Sequence, residues 1–179
     1  GGFLILLALT VATLLWADLS NPYIWVALGV TIAYGVIGFF DDYLKITRQD
    51  SKGLSGKLKL LLQTVVALVA AFAIAGQLPP ALTTTLAVPF LKNLLIDLGW
   101  LFFVFAVLVV VGASNAVNLT DGLDGLASGC MIFAGSAFVA LTYLAGHKVM
   151  AEYLSIPFIS GAGELSIVMG ALVGSILGF

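Results

Sequence analysis

The segment 114–125, SNAVNLTDGLDG, sets Asn115, Asn118, Asp121 and Asp124 three residues apart. On an α-helix a step of three drifts by about 60°, so Asn118, Asp121 and Asp124 span roughly a third of the circumference. A tighter 3₁₀ turn would align them more closely, so these oxygens can converge on one site. Gly122 and Gly125 lie between them and leave the backbone open to a ligand or a neighbouring helix. A second acidic cluster, Asp41 and Asp42, sits in GFFDDYLK directly after an apolar run. Adjacent carboxylates repel, and a divalent cation or a basic neighbour relieves the repulsion. Mg²⁺ commonly takes one or two carboxylates together with phosphate oxygens. Lys45 follows Asp42 by three residues, on the same face of a continuing helix.

Each feature also has a plainer explanation. Asp41 and Asp42 could end a helix at the water interface with Lys45 as a surface pair, although acids near a helix C-terminus oppose its dipole. Asp121 as N-cap and Asp124 as third helical residue would make an ordinary start to a helix at Leu126. That start leaves Asn115 and Asn118 unexplained, at the end of an apolar span where polar residues are rare. The SKGLSGK segment offers Gly53 and Gly56 with Ser51, Lys52, Ser55 and Lys57. Such a loop can approach phosphates closely but lacks the G-x-x-x-x-G-K-[ST] order. A basic loop against anionic lipid headgroups is the alternative.

The elements that must carry these residues are apolar helices. The 179 residues are 61% hydrophobic and 9% charged, against about 25% charged in ordinary globular proteins. Mean hydropathy is +1.18. Continuous apolar runs approaching the roughly 20 residues of a spanning helix are predicted at about 1–17, 23–40, 58–76, 98–114, 126–146 and 164–179. Alternating strands of an outer-membrane barrel are absent. The fold class is therefore all-α, a polytopic membrane helix bundle. Neither a repeat nor a linker divides it, and residues 1–179 read as one transmembrane domain. Both ends look cut: GGFLILL lacks the basic flank of a signal peptide, and GALVGSILGF is still apolar. Cys130 has no partner cysteine, which excludes a disulfide framework or a cysteine-based metal site.

Five of the seven basic residues, Lys45, Arg48, Lys52, Lys57 and Lys59, fall in 41–59, which assigns this segment to the cytoplasm. The chain then crosses outward through 58–76 and returns through 98–114, so SNAVNLTDGLDG emerges on the same side. Pro79, Pro80 and Pro89 with Lys92 make 77–97 an external loop rather than a span. His147 falls on that external side and reads as a surface histidine. Asp97 and Glu164 read as acids at helix N-termini, and Trp16, Trp25 and Trp100 as interfacial aromatics.

The motifs GVIGFFDDYLK, SKGLSGKLKLLLQ and NAVNLTDGLDGLASG, with SNPYIWVALG, VPFLKN and AEYLSIPFISGAGEL, closely resemble the phospho-N-acetylmuramoyl-pentapeptide transferases. These form a branch of the polyprenyl-phosphate N-acetylhexosamine-1-phosphate transferase family. The resemblance covers essentially the whole chain. It implies a ten-helix bundle in the bacterial plasma membrane with a cytoplasmic-face site, of which about six helices are present as a central fragment. It also implies Mg²⁺-dependent transfer of phospho-N-acetylmuramoyl-pentapeptide from UDP-N-acetylmuramoyl-pentapeptide to undecaprenyl phosphate, with release of UMP. By position, it makes Asp41, Asp42 and Asp121 catalytic. Asp41 would deprotonate or orient the lipid phosphate. Lys45, Lys57, Asn118 and Asp124 would bind substrate, and Asn118 and Asp42 would hold the metal. A further aspartate ligand in a Met-Gly-Asp segment and a His-rich loop, both expected beyond Phe179, are absent, so the fragment alone should be inactive. The lipid bilayer is a partner, nucleic acid is not, and a homodimer is allowed. Two other readings stay open, a sister transferase using UDP-N-acetylglucosamine and an ion-coupled transporter. The transporter would carry carboxylates near the midplane of broken helices.

Overall fold

The computed structural model describes residues 2–48, 53–88, 94–123 and 125–179. Its elements are α1 (Gly2–Trp16), α2 (Pro22–Arg48), α3 (Gly56–Ala75), β1 (Thr85–Ala87), β2 (Leu95–Asp97), α4 (Leu101–Thr120), α5 (Leu126–Gly146), α6 (Lys148–Leu154), a 3₁₀ turn (Ala162–Glu164) and α7 (Leu165–Leu177). Among the described residues, α2, α3, α4 and α5 are long and apolar enough to cross a membrane. The helices predicted at the two ends are present but shorter, α1 with 15 residues and α7 with 13. The chain is an all-α polytopic membrane bundle. Its two short strands form a small hairpin.

Local sequence explains several of the helix starts. Pro22 opens α2, where its missing N–H costs nothing, and Asn21 Oδ1 accepts from the Tyr23 amide at 3.0 Å. Ser55 caps α3, its hydroxyl accepting from the Leu58 amide at 3.3 Å. Gly125 takes φ 81°, a left-handed turn that begins α5 without a side-chain cap.

Two helices run further than the hydropathy predicts. α2 continues past Phe40 through both aspartates to Arg48, with no Gly or Pro between residues 39 and 48 to stop it. At about 1.5 Å per residue, Asp41 lies roughly 29 Å from Pro22, near the depth of a bilayer's hydrocarbon core. The carboxylates are thus at the membrane boundary yet within a helix. Likewise α4 extends to Thr120 and takes in Asn115 and Asn118.

The described residues of segment 77–97 form no helix, in keeping with the predicted loop. The segment carries two antiparallel strands with Thr85 opposite Asp97, Leu86 opposite Ile96 and Ala87 opposite Leu95; residues 89–93, with Pro89 and Lys92 of the predicted loop, lie outside the described residues. Asp97 ends β2 instead of beginning a helix. Its Oδ1 accepts from the Thr84 hydroxyl at 2.6 Å and the Gly99 amide at 2.9 Å. These bonds, the hydroxyl's first, hold its carboxyl below the usual range. Glu164 does precede α7, but its carboxylate also accepts from the Asp18 amide at 2.9 Å, across 146 residues of sequence. His147 is exposed, and its Nδ1 accepts from the Met150 amide at the start of α6.

α7 packs against both α5 and α1, while α2 touches α1, α7 and α3, and α3 packs on α4; α4 and α5 barely meet. Leu9, Ile24, Leu28 and Val168 form the centre of the first group. In lipid, helices associate by close packing rather than by water exclusion. Accordingly a Cβ at Gly135 would strike Val173, and one at Gly146 would strike the Gly163 backbone. At one end of the bundle, Asn21 Nδ2 donates to the Gly161 carbonyl at 2.8 Å and the Tyr23 hydroxyl to the Gln77 carbonyl at 3.4 Å. The segments following α1, α3 and α6 therefore meet there, and Asp41, Ser55 and Asp121 lie at the opposite end.

This arrangement makes a topological prediction. In whole cells carrying a Cys130→Ser background, cysteines at 58 and 123 should react from the same side of the membrane. Cysteines at 19 and 153 should react from the other. Labelling of 58 and 123 from opposite sides would break the two-ended arrangement.

Candidate functional site

The centre of the site is Asp41, only 8% exposed. Its Oδ2 receives Lys45 Nζ at 2.9 Å and Lys59 Nζ at 3.4 Å, and its Oδ1 receives the Leu54 amide at 2.9 Å. Lys45 lies one turn along α2, in the favourable order of acid before base. Lys59 reaches in from α3, and Leu54 from the connection between the two helices. One carboxylate thus fastens three consecutive pieces of chain. Lys45 also lies 3.4 Å from Asp42, whose side chain is otherwise exposed.

Gly53 is what lets the connection close over Asp41. A Cβ there would collide with the Asp41 carboxylate, its main-chain oxygen and the Lys45 stem. The loop glycine therefore serves approach to the protein's own carboxylate. Ser51 and Lys52 of the same segment lie outside the described residues.

Next to this cluster is a cavity of about 270 Å³. Tyr34, Ile37 and Gly38 of α2, Lys59 and Gln63 of α3, and Ser114, Asn115, Val117 and Asn118 of α4 line it, with Asp121 and Ala127. Lys59 belongs to both features and joins them. Helical spacing explains the convergence: Tyr34 and Asp41 are two turns apart on α2, Lys59 and Gln63 one turn on α3, Asn115 and Asn118 one turn on α4.

Asp121 does not cap α5. It ends α4, donating its amide to the Val117 carbonyl at 3.2 Å. The ordinary helix start considered for Asp121 and Asp124 is therefore not how Asp121 is used. Among the described residues, its carboxylate enters no ion pair. Asp124 lies outside the described residues.

The structure thus gathers Asp41, Asp42 and Lys45 into one ion-pair cluster, and Asn118 and Asp121 onto one cavity. Lys57, in the first turn of α3, is exposed and does not line the cavity. Asp42 does not line it either, so it is not beside Asn118 there. Asn115 belonged to the polar cluster read from the sequence but was assigned no role there, and Lys59 and Gln63 were not among the sequence-derived site residues. A glutamine within an apolar span was the available signal for Gln63; nothing in sequence distinguished Lys59 from Lys57. The helices carrying these groups run unbroken through them, unlike the interrupted helices of the transporter alternative.

These features define a multi-pass membrane protein with a lysine-bound carboxylate and a polar cavity at one end of its helices. Residues 24–179 match the family model described as Glycosyl transferase family 4, and the chain belongs to that family. Over all 179 residues it is 55% identical to a phospho-N-acetylmuramoyl-pentapeptide-transferase of Desulfotalea psychrophila and covers 49% of that protein. It is 50% identical, again over 179 residues, to the protein of that name in Rhodopseudomonas palustris, covering 50% of it. The chain spans about half the length of these curated relatives.

Two substitutions, made in the whole protein, probe the site. Gly53→Ala should displace the Asp41 carboxylate and lower turnover by about tenfold or more, the scale expected for a sub-ångström to 1 Å misplacement. Lys59→Met should do the same and should weaken binding of a phosphate-bearing nucleotide, read by calorimetry. Lys57→Met, as the exposed comparison, should have the smaller effect; the reverse order would exclude Lys59 as the cavity's cation.

Proposed function

We propose that the whole protein transfers phospho-N-acetylmuramoyl-pentapeptide from its UDP carrier to undecaprenyl phosphate at the cytoplasmic face of the bacterial plasma membrane. Residues 1–179 contribute part of one transmembrane catalytic domain. The observation that carries this reading is Lys59, which couples the Asp41 cluster to a cavity edged by Asn118 and Asp121. The names of the two half-matched relatives point the same way.

The reaction brings two anionic phosphates together. A lipid-phosphate oxygen attacks the sugar-linked phosphorus, the bond from that phosphorus to the bridging oxygen breaks, and UMP leaves. Positive charge and positioning are what such a transfer needs from the protein. Lys45 and Lys59 supply two cations held at fixed places by Asp41. With three donors already on the Asp41 carboxylate, few of its lone pairs remain for a proton. Its contribution in this arrangement is to orient the lysines and, through them, the incoming phosphate. Asp121 and Asn118 face the same cavity and can orient the nucleotide side of the reaction. A site at the membrane boundary suits an acceptor whose tail stays in lipid.

The residues also fit Mg²⁺. Asn118 and Asp121 bring an amide oxygen and a carboxylate to one cavity, and Mg²⁺ characteristically takes only one or two protein carboxylates, filling its remaining positions with phosphate and water. No group of three or more His, Cys, Asp or Glu side chains that could hold a metal occurs among the described residues. Asn118 and Asp121 would hold the ion, with Asp42 outside the cavity rather than beside it. When bound, Mg²⁺ would offset phosphate charge as the leaving group departs.

UMP release from UDP-N-acetylmuramoyl-pentapeptide, with undecaprenyl phosphate and the purified whole protein, tests the proposal. Turnover should stop with EDTA and return with added Mg²⁺. Asp41→Asn and Asp121→Asn should each reduce it by at least about a hundredfold while the protein still inserts. Wild-type activity with UDP-N-acetylglucosamine alone would replace the substrate assignment, and full activity in either variant would remove that residue from the mechanism.

A further inference from the structure

Polar bonding between α2, α3 and α4 extends deeper than the ion pairs. Gln63 is 3% exposed although it sits within an apolar helix. Its Oε1 accepts from Asn115 Nδ2 at 2.9 Å, and its main-chain carbonyl accepts from the Tyr34 hydroxyl at 3.0 Å. Asn115 Nδ2 also donates to the Val111 carbonyl at 2.8 Å, which fixes the amide against its own helix. One residue of α3 thereby holds both of its neighbours.

The location of this link gives it a consequence. Gln63 lies one turn from Lys59 on α3, and Asn115 one turn from Asn118 on α4, and all four line the same cavity. A slip of one residue around α4 would rotate its side chains by about 100° and carry Asn118 off the cavity. Apolar residues of similar size oppose such a slip weakly. At the far end of the pair, Phe72 stacks on Phe103 with ring centroids 4.2 Å apart. Near the site, Gln63 and Asn115 form the side-chain hydrogen bond between α3 and α4 among the described residues.

We propose that Gln63 is a positioning residue: through Asn115 it sets the rotation of α4 that puts Asn118 and Asp121 on the cavity lined by Lys59. This rests on the transferase reading of that cavity. An adhesive bond between helices would contribute to stability alone. A rotational clamp must also control turnover, and exchanging its two ends should restore it.

The test uses the whole protein in a Cys130→Ser background, with spin labels at positions 61 and 119 on α3 and α4. Gln63→Leu should broaden the distance distribution between the labels. In unlabelled protein it should lower kcat by about tenfold to a hundredfold with KM within about threefold. The paired exchange Gln63→Asn with Asn115→Gln keeps both groups and their combined reach, and should recover the narrow distribution and most of kcat. An unchanged distribution in Gln63→Leu overturns the clamp, as does a broadened distribution with undiminished kcat. A wild-type protein without turnover would count against the transferase reading instead. The label distances alone would then decide whether Gln63 sets the rotation.

Discussion

A carboxylate near the edge of the hydrocarbon core cannot be left without partners, and this requirement at Asp41 organises the functional end of the molecule. Burying an unpaired charge is expensive, and the Asp41 side chain is only 11% exposed. Lys45, Lys59 and the Leu54 amide meet the requirement together. Because they come from α2, from α3 and from the segment between, satisfying one charge also closes the turn between two helices. Gly53 is the concession that lets the backbone come close enough. Lys59, so held, also lines the cavity, where its charge is available to an anionic ligand.

Packing determines where that cavity can lie. α1, α5 and α7 form one group, α3 and α4 another, with α2 in contact with both. The first group interlocks through glycines, Gly135 against Val173 and Gly146 against Gly163. Between α4 and α5 contact is slight, and the chain passes through Asp121 and the left-handed Gly125. The polar residues of α4 thus face a gap between two helix groups, with a single α5 residue, Ala127, closing its edge. At the opposite end, Asn21, Tyr23 and Glu164 join the loops by hydrogen bonds. The hydrogen-bonded loops and the polar cavity thus lie at opposite ends of the helices.

The six apolar helices and the shared end of Asp41 and Asp121 were legible in the sequence, whereas the short α6 was not. The transfer of an apolar segment into lipid depends on its own composition, and connectivity then alternates the ends. Boundaries were less legible. Hydropathy stopped α2 at Phe40 and α4 at Ser114 because it reads polar residues as the end of a span. Backbone hydrogen bonding is indifferent to that change, and an Asp41–Lys45 pair favours continuing the helix.

What the sequence by itself determined is therefore an all-α membrane bundle carrying Asp41, Asp42, Lys45, Asn118 and Asp121 at one end. Only the tertiary structure decided that Lys59 rather than Lys57 meets Asp41, that Gly53 is there for closeness to a carboxylate, and that Gln63 reaches Asn115. The reason is rotational. Helices that are apolar nearly all round have no distinct stripe to announce which face will be buried. Which side chains meet is settled by how each helix is turned against its neighbours, and that exists only once they pack.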